Sequence, residues 1–225
     1  MMHGILFLPW GTAAFSVVFA AVLLQHAKRR EWAPHLVWWS LGVMVYGLGG
    51  FLEAWIGSFG NSAFLTKAWY IVGALWGGYP LAQGTVYFLL PKKTADRLTQ
   101  ISLPLVILFS LFVALSPIRS EALLPHMPTG KVLQWTWVRF LTPFVNLYAV
   151  IFLVGGAAWS AWRAWKTGQG AHRAWGNTWI AIGALLPGIG GGFAKLGQVQ
   201  VLYLLEFIGL LLIGLGYVLT RKESS

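Results

Sequence analysis

Trp179 to Tyr217 reads WIAIGALLPGIGGGFAKLGQVQVLYLLEFIGLLLIGLGY: two apolar runs, the first interrupted by Pro187 and a cluster of glycines, joined by a few polar residues. A helical hairpin of this composition is too apolar for water. It also carries Lys195 and Glu206 close to, or inside, what should be hydrocarbon. Ionisable groups at that depth are expensive, so they turn toward a bundle interior and mark a site.

Outward from this hairpin the composition agrees. Of 225 residues, 57% are hydrophobic and only 10% charged, and the mean hydropathy is +0.68. A soluble domain of that length needs far more charge to cover its surface, which places the chain in the membrane class. The absence of cysteine excludes disulfides, thiolate metal sites, iron–sulfur clusters and a cysteine nucleophile. The formal charge of +10 has a membrane explanation too: basic residues collect in cytoplasmic loops and meet anionic headgroups. Membrane lipids are therefore the expected partners. Nucleic acid is not, because no soluble basic domain is present to hold it.

A span takes about 20 mostly apolar residues at a rise of about 1.5 Å each. Seven segments qualify, at about 5–26, 36–57, 68–90, 101–116, 140–162, 178–195 and 199–220. The expectation is an all-α, polytopic membrane protein, a seven-transmembrane-helix bundle forming a single domain over 1–225. With the N-terminus outside, the cytoplasmic side holds Lys28, Arg29, Arg30, Lys92, Lys93, Arg97, Arg163, Lys166, Arg173, Arg221 and Lys222. The outer side keeps only Lys67, Arg119, Lys131, Arg139 and Lys195. This asymmetry predicts an outside N-terminus and a cytoplasmic C-terminus. MMHGILFLPWG lacks a basic leader, and its long apolar run ends in KRR, which predicts a retained reverse anchor and not a cleaved signal peptide. With no effector domain expected, a protein partner in the membrane is expected to carry any downstream effect.

The longest loop, about 117–138, is expected outside. Its prolines argue against a long helix, while Trp135 and Trp137 suit an interfacial anchor or a short helix at headgroup level. Of the 14 tryptophans, Trp10, Trp32, Trp38, Trp55, Trp69, Trp162, Trp165, Trp175 and Trp179 fall at expected span ends. Amphipathic rings favour that depth, so most of them read as an aromatic belt.

Polar residues at membrane depth supply the candidate site. In the second segment Gly42, Tyr46, Gly49, Gly50 and Glu53 share one helical face, where small residues permit close helix approach and the acid points inward. In the seventh, Tyr203, Glu206, Leu210, Ile213 and Tyr217 do the same with Gly209 flanking. The third offers Tyr79 and Gln83 around Pro80, the fifth Arg139 and Asn146, the hairpin Lys195 and Gln198. The expected site is a polar cavity in the outer half, lined by Glu53, Tyr79, Gln83, Asn146, Lys195, Tyr203 and Glu206. Glu206 has structural alternatives: pairing with Lys195 or Arg139, or a protonated hydrogen bond to a tyrosine. Pro187 with Gly188, Gly190, Gly191 and Gly192 reads either as an unwound helix break or as a packing kink.

Several chemistries are argued against. His3, His26, His35, His126 and His172 all fall at span ends or in loops, which disfavours a membrane-embedded haem. No HExxH or paired acidic metal motif occurs, and no GxSxG. The seventh segment has no central lysine to hold retinal. Catalytic and metal-ligating residues are therefore not assigned, and the enzyme question leans to no. No resident cofactor is expected; lipid, quinone or pigment are the groups such a cavity would admit.

AWGNTWIAIGALLPGIGGGFAKLG, VLYLLEFIGLLLIGLGYVL and AWYIVGALWGGYPLAQGTVYFLLPKK together resemble a group of uncharacterised bacterial seven-helix membrane proteins. More distantly the chain is similar to the seven-helix membrane sensor region of some bacterial histidine kinases. The resemblance implies a sensing or accessory bundle of the bacterial inner (cytoplasmic) membrane and brings no catalytic residues with it. The leading functional expectation is a sensor or ligand-binding bundle for a small or lipid-like molecule. The alternatives are a non-catalytic subunit of a larger membrane complex, contacting pigment, quinone or partner helices, and a small transporter. The last is weakened by the lack of an internal repeat.

Overall fold

The computed structural model describes residues 7–168 and 170–221. The expected start of the first span at Ile5 and the tail beyond Arg221 lie outside the described residues. Those described are helical, without strands; two isolated bridges, Ile118 with Leu133 and Leu124 with Met127, are the only β pairing among them.

In chain order the helices are α1 (Leu8–Arg29), α2 (Pro34–Phe59), α3 (Ala63–Trp69), α4 (Tyr79–Leu89), α5 (Lys92–Leu115), α6 (Thr142–Ala149), α7 (Gly155–Thr167), α8 (Ala171–Lys195) and α9 (Val199–Arg221). π-helical turns extend α3 over Tyr70–Leu75 and join α6 to α7 over Val150–Val154. Among the described residues five stretches are long and apolar enough to cross a membrane: α1, α2, α5, the run Thr136–Thr167 and α9. Large apolar side chains lie exposed along them, such as Val17, Leu108, Leu111 and Ile151. Such a surface is stable in hydrocarbon and not in water.

Four expectations about the segments need correcting. The third is not one helix over 68–90, because Trp76 to Gly78 interrupt it. The fourth begins at Lys92 and not near 101, since a helix continues past the apolar region into a polar surround where its backbone bonds still form. The sixth begins at Ala171. It also runs unbroken through Pro187, so the unwound alternative does not hold.

The described residues pack as two compact units, one within 13–149 and the other within 7–12 and 150–221. In the first, α2 lies along α4 through glycines. A side chain on Gly42 would meet the Leu81 backbone N at 2.8 Å, and one on Gly84 would collide with the Trp39 indole. Gly42, Gly49, Gly50 and Glu53 are all buried, as their shared face predicts, and Tyr46 is half-buried.

The segment 117–138 belongs to this core. Arg119 N–H donates to Val132 O at 2.8 Å and Gln134 N–H to Pro117 O at 2.9 Å, folding the segment back on itself. Val132, Leu133 and Val138 are buried in one cluster with Tyr70, Leu75, Tyr79, Val106, Val113 and Val145. Burial of each such side chain is worth about 1.5–3 kcal/mol against water, enough to order a loop that has only short 3₁₀ turns. Asn61 secures its tip, donating from Nδ2 to Leu124 O at 2.9 Å and to Met127 O at 3.3 Å.

In the second unit α8 and α9 form an antiparallel hairpin turned at Gly197, whose φ of 85° suits glycine. A Cβ on Gly183 would stand 2.5 Å from Gly209 O, and one on Gly209 would stand 2.6 Å from Gly183 O. Pro187 has no N–H to give the Gly183 carbonyl, and that carbonyl lies where α9 comes closest. Gly176 and Gly216 repeat the contact one heptad away. Ala157, Ala161 and Ala164, spaced four and three apart, are the buried face of α7.

Candidate functional site

The interruption at Trp76–Gly78 organises the polar residues of the first unit. Before it, the π turn over Tyr70–Leu75 bonds Trp76 N–H to Ile71 O at 3.0 Å, a five-residue span. After it, α4 restarts at Tyr79 with Pro80 in its first turn. A first-turn N–H has no intrahelical acceptor, so proline is tolerated there. Gly78 adjoins α6 so closely that a Cβ on it would stand 2.9 Å from the Ala149 methyl.

The restart aims Tyr79 and Gln83, one turn apart, into the interior, where both are buried. Gln83 bridges two helices. Its Oε1 accepts from Tyr148 Oη at 2.6 Å, and its Nε2 donates to Thr99 Oγ1 at 2.6 Å. Thr99 lies 3.2 Å from Tyr87 Oη. Tyr87 donates to Asp96 Oδ1 at 2.9 Å, and Asp96 pairs with Lys92 at 2.8 Å. Tyr79 Oη meets Ser102 Oγ at 2.8 Å. A chain of side-chain hydrogen bonds thus runs from the exposed start of α5 to Tyr148. Aromatic rings enclose its inner end: Tyr148, Trp76 and Trp38 have centroids 5.8, 5.8 and 6.2 Å from that of Tyr79.

Glu53 is built separately. It is 4% exposed, and its Oε1 accepts from Trp69 Nε1 at 2.8 Å. Trp69 is therefore an internal donor and not a belt residue. Glu53 lies 11 residues beyond Gly42, which abuts Leu81, or about 16 Å along the helix at about 1.5 Å per residue. It is far from the level of Gln83.

The structure consequently brings together Tyr79 and Gln83 but does not gather all seven expected residues at one depth. Asn146 is exposed, and Tyr148 is the α6 side chain that turns inward. Lys195, Tyr203 and Glu206 belong to the second unit. There Tyr203 is buried, Glu206 half-buried and Lys195 exposed in the last turn of α8. Gly190 abuts Leu202, which leaves Lys195 and Glu206 about 13 Å apart along the hairpin by the helical rise. They stand at different levels of the hairpin and not at one site.

Sequence reasoning missed Thr99, Ser102, Tyr87, Asp96 and Tyr148. The spacing of Asp96, Thr99 and Ser102, three apart, places them along one helical face. That signal was available, and starting the fourth span near 101 concealed it.

What the site can do chemically follows from its groups. Two phenols, an amide and two hydroxyls inside an aromatic wall offer both donors and acceptors to an uncharged polar group, while the Lys92–Asp96 pair stays at the exposed end. No protein-family model matches the chain, and no curated protein or solved structure is significantly similar to it.

Proposed function

We propose that this chain is a seven-span protein of the bacterial inner membrane, N-terminus outside, that senses a small uncharged or lipid-like molecule at its interrupted third span. The observation that carries this reading is the break at Trp76–Gly78, which sets Tyr79 and Gln83 beside Tyr148 within an aromatic wall. Irregular backbone at membrane depth is tolerated where it lines a cavity or is buried in protein, and π turns recur at functional sites. The seven-span count is supported by five stretches of sufficient length and apolarity, with Ala63–Leu89 as an interrupted span and Ala171–Lys195 as a glycine-rich one. The distribution of basic loop residues supports the orientation. A satisfied neutral network favours an uncharged ligand, of which a quinone or a lipid glycerol ester are examples. Resemblance to the membrane sensor region of histidine kinases favours sensing over transport, with the signal passed to a protein partner.

The test is a thermal-shift screen of the detergent-solubilised protein against quinones, fatty acids and diacylglycerols. A hit should lose most of its shift in Tyr79→Phe and in Gln83→Ala. Equal shifts in both variants and the wild type would remove the site from consideration.

A further inference from the structure

The outward face of α7 combines tryptophans with basic residues. Trp159, Trp162, Arg163 and Lys166 occupy it at spacings of three, four and seven, opposite the buried Ala157, Ala161 and Ala164. Trp159 and Trp162 are 56% and 50% exposed, and their rings touch with centroids 4.8 Å apart. Lys166 Nζ stands 4.9 Å from the Trp162 ring centroid. Trp39, Trp69 and Trp76 spend their indole N–H groups on Thr85, Glu53 and Ser110. Trp159 and Trp162 have no protein acceptor among the described residues.

The vertical order of these groups is informative. The cations lie at the helix end, and the indoles reach down to Trp159, about 10 Å below Lys166 by the helical rise. Trp159 and Trp162, three residues apart, are separated by about 4.5 Å along the helix, so both rings fit within the interfacial zone of about 6 Å, where glycerol esters lie. Between Glu121 and Glu206 the chain has no acidic residue, so α7 itself carries none to attract a headgroup ammonium. Lys166 already takes the face of Trp162 that such a cation would use.

We infer that the outward face of α7 is a binding site for one anionic phospholipid. Its phosphate sits at Arg163 and Lys166, its glycerol esters accept from the indole N–H groups of Trp162 and Trp159, and its chains continue along the helix. The inference rests on membrane embedding but not on the interrupted helix of the other unit, so the two succeed or fail separately.

The experiment is native mass spectrometry of the delipidated protein titrated with phosphatidylglycerol or phosphatidylcholine. Wild type should retain phosphatidylglycerol preferentially. Arg163→Gln and Lys166→Gln should each weaken that binding about fivefold, the effect of one cation at an anionic surface, and leave phosphatidylcholine unchanged. The exposed pair Lys28→Gln/Arg29→Gln should leave the preference intact. On the wild type alone, a tight-binding component that weakens as salt rises is expected. Equal binding of the two lipids by wild type, an unchanged affinity in both Arg163→Gln and Lys166→Gln, or salt-independent binding would each overturn the site.

Discussion

Tyr148 on α6 donates its hydroxyl to Gln83 on α4 at 2.6 Å, and through the Gln83 amide it is tied to Thr99 on α5. One glutamine thus sets the register of three helices. The hydroxyl that reaches it comes from Tyr148, two residues after the Asn146 that the sequence nominates.

That bond predicts a measurable coupling. Tyr148→Phe leaves the Gln83 carbonyl short of a donor, and Gln83→Leu leaves two hydroxyls to find others. A double-mutant cycle by unfolding in a mixed-micelle denaturant should return a coupling of about 0.6 kcal/mol, the average for side-chain hydrogen bonds between membrane helices, and no more than about 1.7 kcal/mol. Strict additivity would show that the bond does not contribute.

Glu53 Oε1 accepts the indole N–H of Trp69. Glu53→Gln keeps an acceptor and should change stability by less than about 1 kcal/mol, whereas Glu53→Leu strands the indole N–H and should cost about 1–3 kcal/mol. The indole emission of Trp69, read in a variant lacking the neighbouring tryptophans, should shift only in the leucine variant.

The α8–α9 crossing predicts opposite outcomes for two glycines. A methyl at Gly209 meets backbone at 2.6 Å, and backbone cannot rotate away, so Gly209→Ala should cost about 1–3 kcal/mol as the helices part. Gly191 has nothing within 4 Å of its would-be Cβ, so Gly191→Ala should be neutral or stabilise by up to about 1 kcal/mol. Unfolding midpoints of the two variants check the ordering. Pro187 was legible as a disturbance in this helix, but its effect was not: whether a freed carbonyl unwinds a helix or seats a neighbour depends on what lies across from it.

Asn61 anchors the tip of the 117–138 segment through two carbonyls. Asn61→Ala should raise the open fraction about 5–30-fold, the equivalent of about 1–2 kcal/mol, and trypsin cleavage at Arg119 or Lys131 should accelerate accordingly. In sealed vesicles of known orientation, cleavage from the exterior only would also establish which side this segment faces.

The sequence alone determined that the chain is helical, where its apolar stretches lie, and that Gly42, Gly49, Gly50 and Glu53 share a buried face. These properties follow from composition and from a 3.6-residue period, both local. Tertiary structure alone decided that the third segment breaks at Trp76–Gly78, that Tyr148 and not Asn146 turns inward, and that Val132, Leu133 and Val138 join a core. It also decided that Trp69 serves Glu53. The reason is physical: in hydrocarbon the lipid-facing and buried sides of a helix are equally apolar, so periodicity loses the contrast that orients helices in water. Which polar side chain finds a partner then depends on contacts between residues as distant as Gln83 and Tyr148, and no local pattern encodes them.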